Sequence, residues 1–183
     1  AASEGAIAVL ISPMLASDEA YLLASLAKEI GTDVAFAMGP VPTRGEDHVY
    51  PPGATPAPEG PGYVVRAEKA PNRRGVARTL EAMGAGPMPF EQFVQQLGEG
   101  AFAGVLLTGN YPQDWATPAL IEALDRARGG TKKKFVALID TLRSSLMDRA
   151  DVVIPGATWA EKSGCFENAT GRTQAFERAI QPL

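Results

Sequence analysis

Apolar runs of strand length recur along this chain with helix-length spacers between them, and that alternation restricts the fold more than any single residue does. Ala6 to Ser12 (AIAVLIS), Val34 to Met38 (VAFAM), Ala103 to Thr108 (AGVLLT) and Phe135 to Ile139 (FVALI) lack the alternating polarity of a strand with one wet face. Uninterrupted runs of this kind belong to strands covered on both faces in a parallel sheet. Shorter strands are expected at Tyr63 to Ala67 and at Val152 to Ile154, the latter stopped by Pro155.

The spacers read as amphipathic helices with recognisable ends. Ser17 is placed to cap the first, with Asp18 and Glu19 favourable in its opening turn. Leu22, Leu23, Leu26, Ala27 and Ile30 recur at helical spacing behind it, and Gly31 is its stop. Asn72 is placed to cap a second helix carrying Val76, Leu80 and Met83, and Phe90, Phe93, Val94 and Leu97 mark a third between Pro89 and Gly98. Thr117 and Pro118 open a fourth, with Leu120, Ile121 and Leu124 on its apolar side and Gly129–Gly130 at its end. A short helix is expected near Ser144 to Arg149. Together these elements predict one α/β domain over 1–183, a doubly wound, mostly parallel sheet with helices on both faces.

Two segments leave the rhythm. Residues 39–61 hold seven prolines and four glycines, a composition that propagates neither a helix nor a sheet ladder, so a loop excursion is expected there. Residues 156–183 form a C-terminal extension in which Cys165 to Glu167 and Arg172 to Ala175, around Asn168-Ala169-Thr170-Gly171, read as a hairpin-like turn.

Several function classes are disfavoured by composition. A net charge of −4 argues against a nucleic-acid binder, which needs a basic face. No apolar run reaches the roughly 18 residues of a membrane-spanning helix, and Ala1 to Gly5 lacks the features of a signal peptide. The single cysteine, Cys165, excludes an internal disulfide and any metal cluster held by cysteines of this chain alone. His48, the one histidine, falls in the proline-rich segment and reads as a loop residue, without a positioned partner for acid–base work. No catalytic residue and no metal site is assigned.

In sheets of this kind ligands bind beyond the carboxyl ends of the strands. Thr108-Gly109-Asn110-Tyr111-Pro112 follows one such end. Gly109 would let a ligand approach the backbone and the Asn110 amide could read a base edge, although a tight strand-to-helix turn selects the same residues. Asp140, with Thr141 beside it, could accept from a ribose or a guanine, or cap a helix. Neither glycine-rich phosphate motif, G-x-G-x-x-G or G-x-x-x-x-G-K-[ST], occurs, and the turn after the first strand is Pro13-Met14-Leu15. Arg73-Arg74 could meet a pyrophosphate, while Lys132-Lys133-Lys134 reads as a solvated run. Glu161-Lys162 and Glu167 have no nucleophile nearby, and as neighbours on a strand Glu161 and Lys162 would point to opposite faces.

The tail from Ala150-Asp151-Val152-Val153-Ile154-Pro155 through Glu161-Lys162-Ser163-Gly164-Cys165-Phe166-Glu167-Asn168 to Gly171-Arg172-Thr173-Gln174 resembles the signature of the molybdopterin oxidoreductases. Pro71-Asn72-Arg73-Arg74-Gly75 looks like the "PNRRG" segment of one branch, the large iron–sulfur subunits of NADH–quinone oxidoreductases, and Pro13 to Gly31 is similar to another stretch of that branch.

The resemblance implies a Rossmann-like domain from the C-terminal region of a longer subunit, structural in role. The parent subunit would carry iron–sulfur clusters elsewhere and join other subunits of a respiratory complex, cytoplasmic and peripheral to a bacterial inner membrane. The alternative is a domain that holds molybdopterin guanine dinucleotide in a molybdenum oxidoreductase such as a formate dehydrogenase, with Gly109, Asn110 and Asp140 at the guanosine end. The chain departs from the molybdenum-enzyme pattern at Tyr111, where the loop of those enzymes is not aromatic, and at Cys165, where threonine is usual; the role expected of Cys165 is that of a small buried residue.

Overall fold

A computed structural model describes residues 6–30, 33–130 and 133–182. The expected helix stop at Gly31, Lys132 of the lysine run and the opening Ala1 to Gly5 fall outside them. The central sheet is parallel throughout, with strands β1 (Ala6–Ile11), β2 (Val34–Met38), β5 (Phe102–Thr108), β6 (Phe135–Asp140) and β7 (Val152–Pro155) in the order β2-β1-β5-β6-β7. Side chains alternate between two apolar layers. Ala8 and Leu10 of β1 face helices α3 (Phe90–Gly98) and α4 (Pro118–Gly129), whereas Val9 and Ile11 face α1 (Ser17–Ile30) and α2 (Arg73–Ala82).

Helix α1 shows where tertiary packing overrides a correct local reading. Its first turn carries Asp18 and Glu19 and its last Lys28, matched to the macrodipole. The face that docks on the sheet, however, is Ala20, Ala24 and Ala27, and Leu22, Leu26 and Ile30 stay exposed. Of the expected stripe, Ala27 joins that face and Leu23 packs against the same layer, while Leu22, Leu26 and Ile30 are turned away. Ser17 is the first helical residue rather than the cap, and the N–H of Ala16 is instead satisfied by the Glu19 carboxylate at 2.8 Å. In α4, Thr117 does accept from the Leu120 N–H at 3.2 Å, with Pro118 at the first position. The expected helix near Ser144 to Arg149 is a single 3-10 turn, Met147–Arg149, whose preceding Leu146 is buried in the α3/α4 layer.

Contacts divide the chain into two compact units, 1–40 with 71–183, and 41–70. Within the smaller unit, β3 (His48–Tyr50) and β4 (Tyr63–Val65) form an antiparallel pair, so the proline-rich excursion does contain a ladder and His48 is a strand residue. The ladder survives because Pro51, Pro52 and Pro61 lie outside its three paired positions. Tyr63–Val65 accordingly belongs to this hairpin and adds nothing to the central sheet. Asp47 ties its base, accepting from the Arg66 guanidinium at 2.8 Å and the Ala67 N–H at 2.7 Å. At the C-terminus, β8 (Gly164–Glu167) and β9 (Thr173–Phe176) form the expected hairpin.

Candidate functional site

The chain steps outward from β1 to β2 and then returns to the other side of β1 to place β5, β6 and β7 in turn. The strand order therefore reverses between β1 and β5, and the crevice beyond their carboxyl ends is where such a sheet offers a binding site. Thr108 closes the floor of this crevice. Its hydroxyl donates to the Leu10 carbonyl at 2.8 Å and accepts from the Ser12 N–H at 2.9 Å, clamping β5 to β1 where their backbones begin to separate. The sequence carries no sign of this clamp, since its partners lie nearly a hundred residues away.

Tyr111 occupies the space above. It is 3% exposed, its ring stacks on Trp115 with centroids 5.2 Å apart, and its hydroxyl donates to the Pro40 carbonyl at 2.8 Å. Burial, with Asp140 nearby, pushes the phenol above its ordinary range and keeps it protonated. Gly39 is required by this plug, because a Cβ there would stand 2.7 Å from the tyrosine oxygen.

The three residues singled out from the sequence do meet at one place. Asp140 is 5% exposed and accepts three hydrogen bonds, from the N–H groups of Asn110 at 3.0 Å and Thr141 at 2.8 Å and from the Trp115 indole at 2.8 Å. Its carboxylate lies over Gly109, where an added Cβ would fall 2.2 Å from it. Asn110 has φ of 77°, the only positive value at a non-glycine among the described residues. Gly109 and Asn110 thus let the loop fold back over Asp140, and Asp140 holds that loop rather than capping a helix. Sequence reasoning missed Trp115, whose partner Asp140 lies 25 residues downstream.

A second cluster gathers the remaining polar candidates. Asn72 stands before α2 but does not cap it. Its side-chain amide donates to the Leu15 carbonyl at 2.8 Å and the Ser17 hydroxyl at 3.2 Å, while its oxygen accepts from the Glu167 N–H at 2.7 Å. Gly75 leaves room for this, since a Cβ would come within 2.2 Å of the Asn72 oxygen. The Glu167 carboxylate, 3% exposed, faces Arg78 at 3.0 Å and Arg74 at 3.4 Å. Lys162 pairs with Glu19 at 2.6 Å, and the Cys165 N–H donates to Asp18 at 2.8 Å. Cys165 itself is half-buried rather than buried.

The other sequence candidates have structural partners. Glu161 lies in a 3-10 turn, not on a strand, and closes a capping box with Thr158, whose backbone N–H and hydroxyl hold its carboxyl below the usual range. Lys133 is not merely solvated but pairs with Asp151 at 2.8 Å. Among the described residues no group of three or more histidine, cysteine, aspartate or glutamate side chains is arranged to hold a metal ion. No helix among them is long and apolar enough to cross a membrane.

The model of the molybdopterin oxidoreductase family matches residues 72–183. The NADH-quinone oxidoreductase G subunit of Streptomyces coelicolor is 27% identical over 98% of this chain, which covers 21% of that protein. The protein of the same name from Mycobacterium tuberculosis is 40% identical over 43% of this chain and 9% of its own length. A nitrate reductase of Symbiobacterium thermophilum is 36% identical over 32% of this chain and 8% of its own length. The chain thus spans about a fifth or less of these relatives.

Proposed function

Since the chain belongs to the molybdopterin oxidoreductase family, we propose that it is a structural domain of the large iron–sulfur subunit of an NADH–quinone oxidoreductase, retaining the family fold without holding the family's cofactor. The observation that carries this reading is Tyr111. Its ring is buried in the region that would receive one end of a dinucleotide, and its hydroxyl is bonded there to the Pro40 carbonyl. Asp140 and Gly109 face one another rather than open space. These residues do not fit a guanosine cradle, and no chemical step is assigned to them. The similarity to the Streptomyces coelicolor protein across nearly the whole chain supports the same reading.

Electron transfer would belong to iron–sulfur clusters in other parts of the parent protein, and the other members of a membrane-associated complex would be its partners, on the cytoplasmic face. The test is metal analysis of the native full-length protein purified from its own membranes, together with an NADH oxidation assay. Abundant iron without molybdenum, co-purifying with quinone-dependent NADH oxidation, is the expected result. Stoichiometric molybdenum would overturn the reading and return Gly109, Asn110 and Asp140 to a cofactor role.

A further inference from the structure

A parallel sheet is stable only when both faces are covered. The α3/α4 face meets that condition across β1, β5 and β6, with Leu146 completing the layer next to β6. On the opposite face α1 and α2 pack over β1 and β2, and of the further strands only Leu106 of β5 joins that layer. The link from β6 to β7 is a 3-10 turn rather than a crossover helix. The side chains of β5, β6 and β7 on this second face are Leu106, Thr108, Phe135, Ala137, Ile139, Val152 and Ile154, with Gly104 among them, and none is charged.

Several remain open to solvent, with Phe135 at 54%, Val152 at 43% and Ile154 at 47% exposure. The outward stripe of α1 borders them, with Leu22 at 64% and Leu26 at 54%. Between stripe and sheet runs a cleft of about 260 Å³ lined by Leu15, Leu22, Leu23, Leu26, Thr108 and Ile139, with Glu19, paired to Lys162, as its one charged residue. Contiguous apolar surface of this kind marks an interface.

Resting on the reading of this chain as part of a longer subunit, we propose that an amphipathic helix of the same polypeptide, from outside residues 1–183, lies beside α1 and covers β5 to β7. The dimensions match one helix. Three neighbouring strands are about 10 Å across, and a helix with its side chains is about 10–12 Å wide. The uncharged floor requires an apolar stripe at i, i+3, i+4 and i+7 on the occupant. The Streptomyces coelicolor relative has chain to supply such a helix, since an alignment covering 98% of this chain takes up only 21% of that protein.

The experiment places the photo-crosslinking amino acid p-benzoyl-phenylalanine at Leu26, at Ile154 and, as a control on the outer side of α4, at Glu122 in the full-length protein. Irradiated adducts are mapped by mass spectrometry. Leu26 and Ile154 joined to one peptide of the same polypeptide outside this segment, with Glu122 not joined to it, is the expected result. Links to a different polypeptide of the complex, to a second copy, or to no protein at all would overturn the proposal. Because the labelled variants could misfold, hydroxyl-radical footprinting is run on the unmodified full-length protein. Protection of Leu22, Phe135 and Ile154 is expected, and strong oxidation there would also overturn it. A native polypeptide no longer than this chain would instead remove the reading on which the proposal rests, which the intact mass reports separately.

Discussion

The Tyr111 hydroxyl donates to the Pro40 carbonyl at 2.8 Å, so the loop after β5 is pinned to the loop after β2 across the mouth of the sheet's crevice. Tyr111→Phe keeps the ring but removes this bond and the hydroxyl's interaction with Ser12, and is expected to lower stability by about 1 kcal/mol. Tyr111→Ala also empties the crevice and strips Trp115 of its stacking partner, at about 3–5 kcal/mol. Urea unfolding followed by far-ultraviolet circular dichroism measures both. Equal effects of the two variants would show that the ring does not fill the crevice.

Asp140 holds its loop through three N–H donors and sits against Gly109. Asp140→Ala leaves those donors without a partner, and a loss of about 3–5 kcal/mol is expected. Gly109→Ala forces a methyl group into the carboxylate and is expected to be at least as damaging. Trp115 fluorescence should shift to the red in both folded variants as the indole loses its partner and gains water. An unshifted spectrum with unchanged stability would refute the structural role of Asp140.

Three stretches distant in sequence meet through Asn72, which joins Leu15 and Ser17 to Glu167. Asn72→Ala is expected to cost about 2–3 kcal/mol, because a buried carbonyl and a buried N–H lose their partners together. Hydrogen exchange should rise at the Glu167 amide and along β8 while β1 and β5 stay protected. A rise spread evenly over the sheet would show that Asn72 does not act locally.

Asp151 ties β7 to β6 by accepting from Arg128, Lys133 and the Val136 N–H. The hydrogen bonds from Arg128 and Lys133, followed by the backbone bond, hold its carboxyl well below the usual carboxylate range. A depressed folded-state pKa contributes stability that is fully present above the unfolded value of about 3.9 and is lost as pH falls toward the folded one. The unfolding midpoint should therefore stay level from neutral pH to about pH 5 as regards this group, then decline in acid. Asp151→Asn should be less stable at neutral pH and show a shallower acid decline, measured by thermal unfolding across pH. An unchanged acid limb would show that the depression is absent.

What the chain determines by itself is whatever depends on residues a few positions apart. Uninterrupted apolar runs specify buried parallel strands, and Thr117-Pro118 with Gly129–Gly130 specifies both ends of α4, because periodicity and capping act within a turn or two. The same locality brought Gly109 and Asn110 to notice, as residues a strand-ending turn selects. Only the folded chain decided the rest. Helix α1 has alanines on one face and leucines on another, and either could have docked; the close approach to the sheet chose Ala20, Ala24 and Ala27 and left Leu22 and Leu26 outside. Asn72 has the chemistry of a cap, yet its partners come from the loop after β1 and from β8, which nothing in its neighbourhood announces. Asp140 is legible as a hydrogen-bonding carboxylate at a strand end, but that the Trp115 indole donates to it is not. A side chain's capacity to bond is written in its residue type, but the donor that satisfies it is chosen by a topology that brings distant segments together.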